Sequence, residues 1–554
     1  MSVEEHLHNF VTAAREILET PGAKPESSLY SAFSTFLEAV TYELNPQSTP
    51  TFLPQMGAKD IGIPDYRVNQ RRELLGWVEL KAAAKPLNEL TGHDARQRER
   101  FVDGLHNLIL TNGWEWELYQ DGRQVGSTVR VGTADIFKPD ALPAAPTDAE
   151  LRDLQDLLRS FLTARLADYS TVSSAVAALA VRARALRNGL SEVGEAEAGE
   201  NLVSLKADFK DLVFRNGQKF DWARFVDSYV QIAAFGALLW RLQTGSPISL
   251  DHQVGLKYGV HPLLYQCLQI LWSPSSRPPL LQPLLEELCR TINLIPTSLF
   301  DAPPIADDRR YVPDPIVHAY EPFFAVYDSK ARDAAGVYYT PVQVVEHIVS
   351  GVEHVLTTTF DRPLGLLDPN ARYLDPATGT GTFLLGLAQA TARSASSLGL
   401  PLDAAVHELV TKRLAAFELL PGPYTIAHQR MESLLETFGA PVDERLPIYL
   451  TDTLAAPEGD KLTKSGFGVA GDEILRERQR ADEVKATDEL LVVLGNPPYE
   501  RLPAASGVEQ FTRGLMDILR DHTPADYRSD LKSTSDLYVA FWMWALWGSS
   551  QLRV

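Results

Sequence analysis

The stretch Tyr373-Leu374-Asp375-Pro376-Ala377-Thr378-Gly379-Thr380-Gly381-Thr382-Phe383 decides how the C-terminal part of this chain folds. A short apolar lead runs into a glycine-rich turn, and LLGLAQATA then continues as a helix. In open α/β sheets a ligand sits beyond the carboxyl ends of the strands, where glycines let backbone approach it closely. No Gly-Lys-Ser/Thr follows, so the turn is not a P-loop. Alone, it reads as a generic nucleotide-type pocket or as a tight strand-to-helix turn without a ligand.

A second stretch narrows the choice. Leu491-Val492-Val493-Leu494-Gly495 reads as a buried strand and ends in Asn496-Pro497-Pro498-Tyr499. The prolines remove N–H donors and fix φ, which leaves carbonyls free to face a pocket. The Asn496 side-chain oxygen and a proline-flanked carbonyl can each accept a hydrogen from an –NH2 group, drawing its lone pair out of ring conjugation. The Tyr499 ring can stack on a planar base. Such a set suits methyl transfer to an amine without a strong base, because a sulfonium donor carries its own leaving group. In duplex DNA the target base must first leave the stack.

With Glu418 in AAFELLPGPYTIA, Asp452 in YLTDTL and the motif GVYYTP at residues 336–341, these stretches resemble the DNA amino-methyltransferases of γ arrangement that modify adenine N6. The resemblance implies that Thr340, Asp375, Thr378, Gly379 and Gly381 line the methionine part of S-adenosylmethionine. It implies that Glu418 holds the ribose hydroxyls, since one carboxylate can accept from two. Asp452 would accept from the cofactor's adenine amino group, and Phe383 would pack near the cofactor. Asn496, Pro497, Pro498 and Tyr499 would handle the target base. NPPY is shared with methyltransferases that act on glutamine amides in proteins, so the rest of the chain must indicate the substrate.

Near the N-terminus, Gly62-Ile63-Pro64-Asp65-Tyr66-Arg67-Val68 and Gly76-Trp77-Val78-Glu79-Leu80-Lys81 read as two arms of a hairpin turning at residues 69–72. Glu79 and Lys81 are two apart on a strand and share a face. Asp65 and Glu79 are equidistant from Arg72, so the two acids fall opposite each other. Two carboxylates can hold Mg2+ through oxygen. A metal lowers the pKa of its water while a lysine orients the nucleophile. An exposed cross-strand ion pair is the plainer alternative. Pro-Asp followed by Glu-x-Lys resembles the PD-(D/E)xK nuclease core, with Asp65 and Glu79 as metal ligands and Lys81 beside them. Glu26 in PESSLY matches that family's upstream acid. Gln97, with Phe101, resembles the later Gln motif of nucleases fused to adenine methyltransferases.

Composition bounds the rest. The 554 residues are 45% hydrophobic and 22% charged, with a formal charge of -20, which fits roughly three to four domains of a globular protein. Two cysteines, Cys267 and Cys289, cannot build a disulfide framework or a structural zinc site, so a reduced, cytoplasmic compartment is the default. The apolar runs 229–240 and 537–547 fall short of the ~20 residues that cross a bilayer, so no membrane partner is expected. The acidic total excludes a uniformly basic nucleic-acid mantle but leaves room for a local groove, since each charge reaches only about 8–10 Å.

The expected fold class is α/β. A nuclease-like α/β core spans residues 1–140, a helical connector 150–310, and a doubly wound, Rossmann-like methyltransferase domain 311–554. That last domain reads as incomplete, because a seven-stranded sheet would need strands after the helix 537–547. Thr147 and Asp148 are candidate N-caps for the connector's first helix. Its basic residues Arg182, Arg184, Arg187, Lys206, Lys210, Arg215 and Lys219 could contact phosphates, but a solvated helix face is the preferred reading. A phosphodiester-cutting core joined to an amine-methylating core has double-stranded DNA as common substrate, and the order resembles single-chain restriction–modification enzymes of the type IIG kind, which act in phage defence. The alternatives are an adenine methyltransferase with a vestigial nuclease and a non-catalytic DNA-binding or assembly subunit.

Overall fold

The structure is a computed structural model, and it describes residues 2–24, 27–47, 49–54, 64–70, 73–133, 138, 146–164, 169–214, 220–300, 320–328, 340–457, 471–487, 492–499, 510–526 and 536–548. Glu26, residues 336–339 of GVYYTP, Arg215 and Lys219 lie outside them, as do Gly62 and Ile63. The chain divides into two compact units. Residues of the expected connector fall in both.

The first unit comprises Met1–Ala167, Arg184–Glu192 and Pro278–Leu294. Its sheet runs β1 (Thr51–Pro54), β2 (Tyr66–Gln70), β3 (Glu73–Leu80), β4 (Asn107–Thr111), β5 (Glu115–Gln120) and β6 (Arg123–Gln124), with β7 (Val129–Arg130) also on β5. All neighbours are antiparallel except β3 and β4, which run parallel and are joined through helix Gly92–Gly104. Alternation sorts the side chains: Val78 and Leu80 face one way, Trp77 and Glu79 the other. The first face, with Tyr66, Val68, Ile109, Trp116 and Leu118, packs on helices Val3–Glu19, Tyr30–Leu44 and Asp148–Leu162 through Phe10, Phe33, Phe36, Leu154, Leu158 and Phe161. On the second face, Trp77 Nε1 donates to Glu287 of helix Gln282–Leu294 at 3.0 Å. Helix Asp148–Leu162 starts where the sequence suggests. Thr147 is the N-cap, in a reciprocal capping box with Glu150.

The second unit comprises Asp168–Ala183, Val193–Arg277 and Ile295–Val554. Its sheet is parallel, in the order β10 (Ile448–Leu450), β9 (Leu414–Glu418), β8 (Tyr373–Asp375), β11 (Val492–Val493). From β8 the chain winds outward through β9 and β10, then returns to the other side of β8 as β11. That reversal is a topological switch point, where open α/β sheets bind ligands. Leu374, Ala415, Phe417 and Tyr449 share a core with residues of helices Gly471–Ala486, Gln510–His522 and Leu537–Gly548. Helices Thr382–Ser397 and Pro421–Thr437 make the crossovers from β8 and β9. The doubly wound arrangement is therefore present over these four strands.

One expectation needs correcting. Arg182 is not on a solvated face: it is 3% exposed in helix Val172–Glu197, and Lys206 is paired with Glu195 at 2.6 Å. A guanidinium taken from water needs partners, and the long apolar stem gains from burial. Among the described residues no helix is long and apolar enough to cross a membrane.

Candidate functional sites

In the first unit the pairing Tyr66↔Val78 sets Asp65 beside Glu79, as the hairpin spacing predicts, although a bulge between Val68 and Asn69 shifts the register nearer the turn. The Asp65 N–H donates to Glu79 Oε2 at 3.2 Å, and the Leu80 N–H donates to Asp65 Oδ2 at 2.7 Å. Lys81 Nζ donates to Glu79 Oε1 at 2.7 Å and to Gln97 Oε1, with Asp94 Oδ1 at 3.4 Å. Asp65, Glu79, Lys81 and Gln97 are all at most 3% exposed. An exposed ion pair is thus excluded. Sequence reasoning missed two members, Asp94 and Tyr30. The Tyr30 hydroxyl donates to Asp65 Oδ1 from helix Tyr30–Leu44, and no local spacing announces a partner 35 residues away.

Burial, then the charge of Asp65, pushes Glu79 up to about 8 despite the ammonium beside it. Burial works against the Lys81 charge, yet Glu79, Asp94 and Asp65 outweigh it and hold its pKa above the ordinary value. Burial and Asp65 likewise raise the Tyr30 phenol, so it stays a donor. Among the described residues no group of three or more His, Cys, Asp and Glu side chains is disposed to hold a metal. The donor chemistry of Asp65 and Glu79 nevertheless suits a hard divalent cation, whose charge would relieve the repulsion that raises Glu79.

In the second unit the strand tips gather the other expected residues. Asp375 ends β8 fully buried, and its Oδ1 accepts from the Ala377 N–H at 3.1 Å. Its Oδ2 makes no hydrogen bond of ordinary geometry among the described residues; the Ala377 N–H and then the Thr378 side chain favour its charge. Gly379 and Gly381 take φ of 55° and 87°, left-handed values that suit glycine, and the space where a Gly379 Cβ would point is open. Glu418, at the end of β9, accepts from the Gly379 N–H at 2.7 Å and from the Leu419 and Leu420 N–H groups at 2.9 and 2.7 Å. Burial dominates in both acids: Asp375 and Glu418 are each pushed up to about 7. Phe383 is buried in the first turn of helix Thr382–Ser397.

Asp452 follows β10, and its Oδ1 accepts from the Leu454 N–H at 2.9 Å. Two buried cations that sequence reasoning missed hold these loops. Arg430 donates to the Thr380 carbonyl inside the glycine turn and to Thr380 Oγ1 at 3.0 Å. Lys485 donates to the carbonyls of Asp452 and Ala455 at 2.6 and 3.2 Å. Each donor lies on a helix 30 or more residues from its acceptor, so no motif spacing could have found it.

Because β11 pairs with β8, Leu494 N–H bonding the Leu374 carbonyl at 3.0 Å, the next residues run alongside Asp375. A Cβ at Gly495 would lie 2.5 Å from Asp375 Oδ1, so any side chain there would have to push that carboxylate aside. Asn496 Nδ2 donates to Thr340 Oγ1 at 3.1 Å, and the Tyr499 hydroxyl donates to Asn496 Oδ1 at 2.7 Å. Pro497 and Pro498 are half-buried. Tyr499 is 58% exposed, with its ring 6.2 Å from that of Tyr538. Thr340, Asp375 and Asn496 are thus brought to one end of the sheet.

Residues 312–505 match the N-6 DNA methylase family. No curated protein matches the chain. Among solved structures, the DrdV–DNA complex is 20% identical with a TM-score of 0.45, over 99% of this chain and 49% of that one. A nuclease-deletion mutant of the type ISP restriction–modification enzyme LlaGI, bound to a DNA substrate mimic, is 19% identical with a TM-score of 0.45, over 72% and 30%. The type IIG restriction endonuclease BpuSI is 14% identical with a TM-score of 0.30, over 93% and 49%. The chain spans about half the length of DrdV, and no role is carried over from overlaps this partial.

Proposed function

We propose that the second unit transfers a methyl group from S-adenosylmethionine to adenine N6 in double-stranded DNA, and that the first unit cuts DNA with Mg2+, as parts of one cytoplasmic restriction–modification system. The observation that carries the methylation reading is the β8–β11 pairing, which sets Asn496 beside the glycine turn of a segment matching the N-6 DNA methylase family.

S-adenosylmethionine supplies an electrophilic methyl on a sulfonium. The open space over Gly379 and the unused acceptor capacity of Asp375 Oδ2 suit a ligand bearing an ammonium. Glu418 would take the ribose hydroxyls and Asp452 the adenine amine. Asn496 Oδ1 and the Pro497 carbonyl would accept the two hydrogens of the flipped-out adenine amine, tilting its lone pair toward the methyl. Tyr499 would stack on the base. In the first unit Asp65 and Glu79 would hold Mg2+, which lowers the pKa of bound water, while Lys81, steadied by Gln97 and Asp94, orients the nucleophile. One observation favours the alternative of a non-cutting first unit. All four carboxylate oxygens already accept from Tyr30, Leu80, Lys81 and the Asp65 N–H.

The test is direct. Incubated with methyl-labelled S-adenosylmethionine and unmethylated duplex DNA, the protein should yield labelled N6-methyladenine on digestion to nucleosides. Label in protein glutamine and none in adenine would overturn the DNA reading. Nicking of unmethylated plasmid that depends on Mg2+ distinguishes a working first unit from a vestigial one.

A pH dependence accompanies this reading. A ligand bearing a sulfonium and an ammonium favours the ionised forms of Asp375 and Glu418, which half-hold their protons near pH 7. Affinity for S-adenosylmethionine should therefore rise from pH 6 to pH 8, by up to about tenfold for each carboxylate that must ionise. Calorimetric titration in buffers of different ionisation heat should register proton release at pH 6; a flat affinity would contradict the assignment.

A further inference from the structure

We propose that Thr340 is a positioning residue for the Asn496 amide, and that the Tyr499 hydroxyl holds the acceptor end of that amide until an amine displaces it. This rests on the reading of Asn496 as the acceptor of the target amine. It assigns Thr340 a different task from lining the methionine part of the cofactor.

The problem to be solved is orientation. The two ends of an asparagine amide have nearly the same shape, yet one accepts and the other donates. Turned by half a rotation, Asn496 would present its own –NH2 to an incoming –NH2, donor against donor. Something must select the working orientation before the base arrives. Two hydroxyls flank the amide, Thr340 Oγ1 at 3.1 Å from Nδ2 and the Tyr499 phenol at 2.7 Å from Oδ1. They are chemically unlike. A phenol, with a pKa near 10, is the stronger donor, and its oxygen lone pair is drawn into the ring. An aliphatic hydroxyl is the better acceptor. The phenol therefore pairs with the carbonyl and the threonine with the –NH2, which turns the carbonyl toward the exposed tyrosine.

The two partners differ in permanence. Thr340 lies just before Pro341, the N-cap of helix Val342–Thr358, whose Val345 and Val349 are buried, and it reaches Asn496 across 156 residues of chain. Tyr499 is on the same loop as Asn496 and more than half exposed, so its ring can swing while the loop stays. When a flipped-out base enters, its amine takes over the acceptor that the phenol releases, and Thr340 keeps the amide from spinning. No bond to Thr340 or Tyr499 is made or broken in the transfer itself.

The experiment compares Thr340→Val, which keeps the shape but loses the hydroxyl, with Thr340→Ser, which keeps it. For the 554-residue protein, Thr340→Val should lower kcat for DNA methylation by about tenfold to a hundredfold. Binding of S-adenosylmethionine should be unchanged, and Thr340→Ser should restore the rate. Weakened cofactor binding at unchanged kcat would make Thr340 a cofactor contact and overturn the proposal. A second readout needs no turnover. With 15N-asparagine labelling, the Asn496 side-chain signal, identified by its loss in Asn496→Ala, should exchange with water about tenfold faster in Thr340→Val and not in Thr340→Ser. An amide signal indifferent to Thr340→Val would refute the positioning role. A normal amide response in a protein that methylates no adenine would instead sink the proposed function and leave the geometry standing.

Discussion

Asn496→Ala should cut methyl transfer to duplex DNA by about 10²–10³-fold while leaving S-adenosylmethionine binding intact, the cost of removing one preorganised polar group aimed at developing charge. The charge in question is the positive charge that grows on the adenine nitrogen as its lone pair attacks carbon. Asn496 Oδ1 would meet it at short range in a partly dry site, where a fixed dipole counts for more than in water. Alanine leaves the Pro497 carbonyl and the Tyr499 ring, so base docking should survive better than chemistry. The described partners of the Asn496 side chain are Thr340 and Tyr499, and neither Glu418 nor Asp452 is among them. Single-turnover methyl transfer and calorimetric titration with the cofactor read the two quantities separately. Equal loss of both would mean that Asn496 supports the pocket itself.

The second large effect is expected at Lys81. Lys81→Met should abolish any Mg2+-dependent cutting and destabilise the first unit in alkaline solution, by up to about 1.4 kcal/mol for each pH unit above 8, because Glu79 must then either keep its proton or ionise without its buried partner. The sign with pH follows from Glu79, whose pKa is raised to about 8. An acid with a raised folded-state pKa contributes stability below its unfolded value, near 4.5, and loses it as pH climbs through the folded value. Without the ammonium of Lys81 the Glu79 pKa climbs further, so the penalty should be small up to pH 8, where Glu79 keeps its proton with or without Lys81, and grow above it. Denaturant unfolding at pH 7 and pH 9.5, followed by tryptophan fluorescence for the buried Trp77 and Trp116, measures it. A penalty independent of pH would mean that Lys81 stabilises by packing its stem and not by its charge.

Much of this was legible from local pattern. The two hairpin arms and the N-cap at Thr147 are patterns written in neighbouring residues, and they appear as β2, β3 and the start of helix Asp148–Leu162. The meeting of Asp65, Glu79 and Lys81 is equally local, because a hairpin forces residues equidistant from its turn together. Motif residues at strand tips are legible for the same reason: an apolar run that stops at Asp375, Glu418 or Asn496 shows where its strand ends.

Other features depend on residues far apart in the chain. Nothing between Ala377 and Leu491 states that β11 returns to the open side of β8, yet that choice alone sets Gly495, and Asn496 after it, at the Asp375 end of the sheet. The Tyr30 hydroxyl on Asp65, and Arg430 and Lys485 on loop carbonyls, are polar groups finding partners in the dry interior, where an unsatisfied one costs several kcal/mol. Arg182 is buried, where charge alone suggested solvent. Periodicity and hairpin symmetry act between neighbours and are written in order along the chain; strand order and the satisfaction of buried polar groups are settled when distant segments compete for one interior.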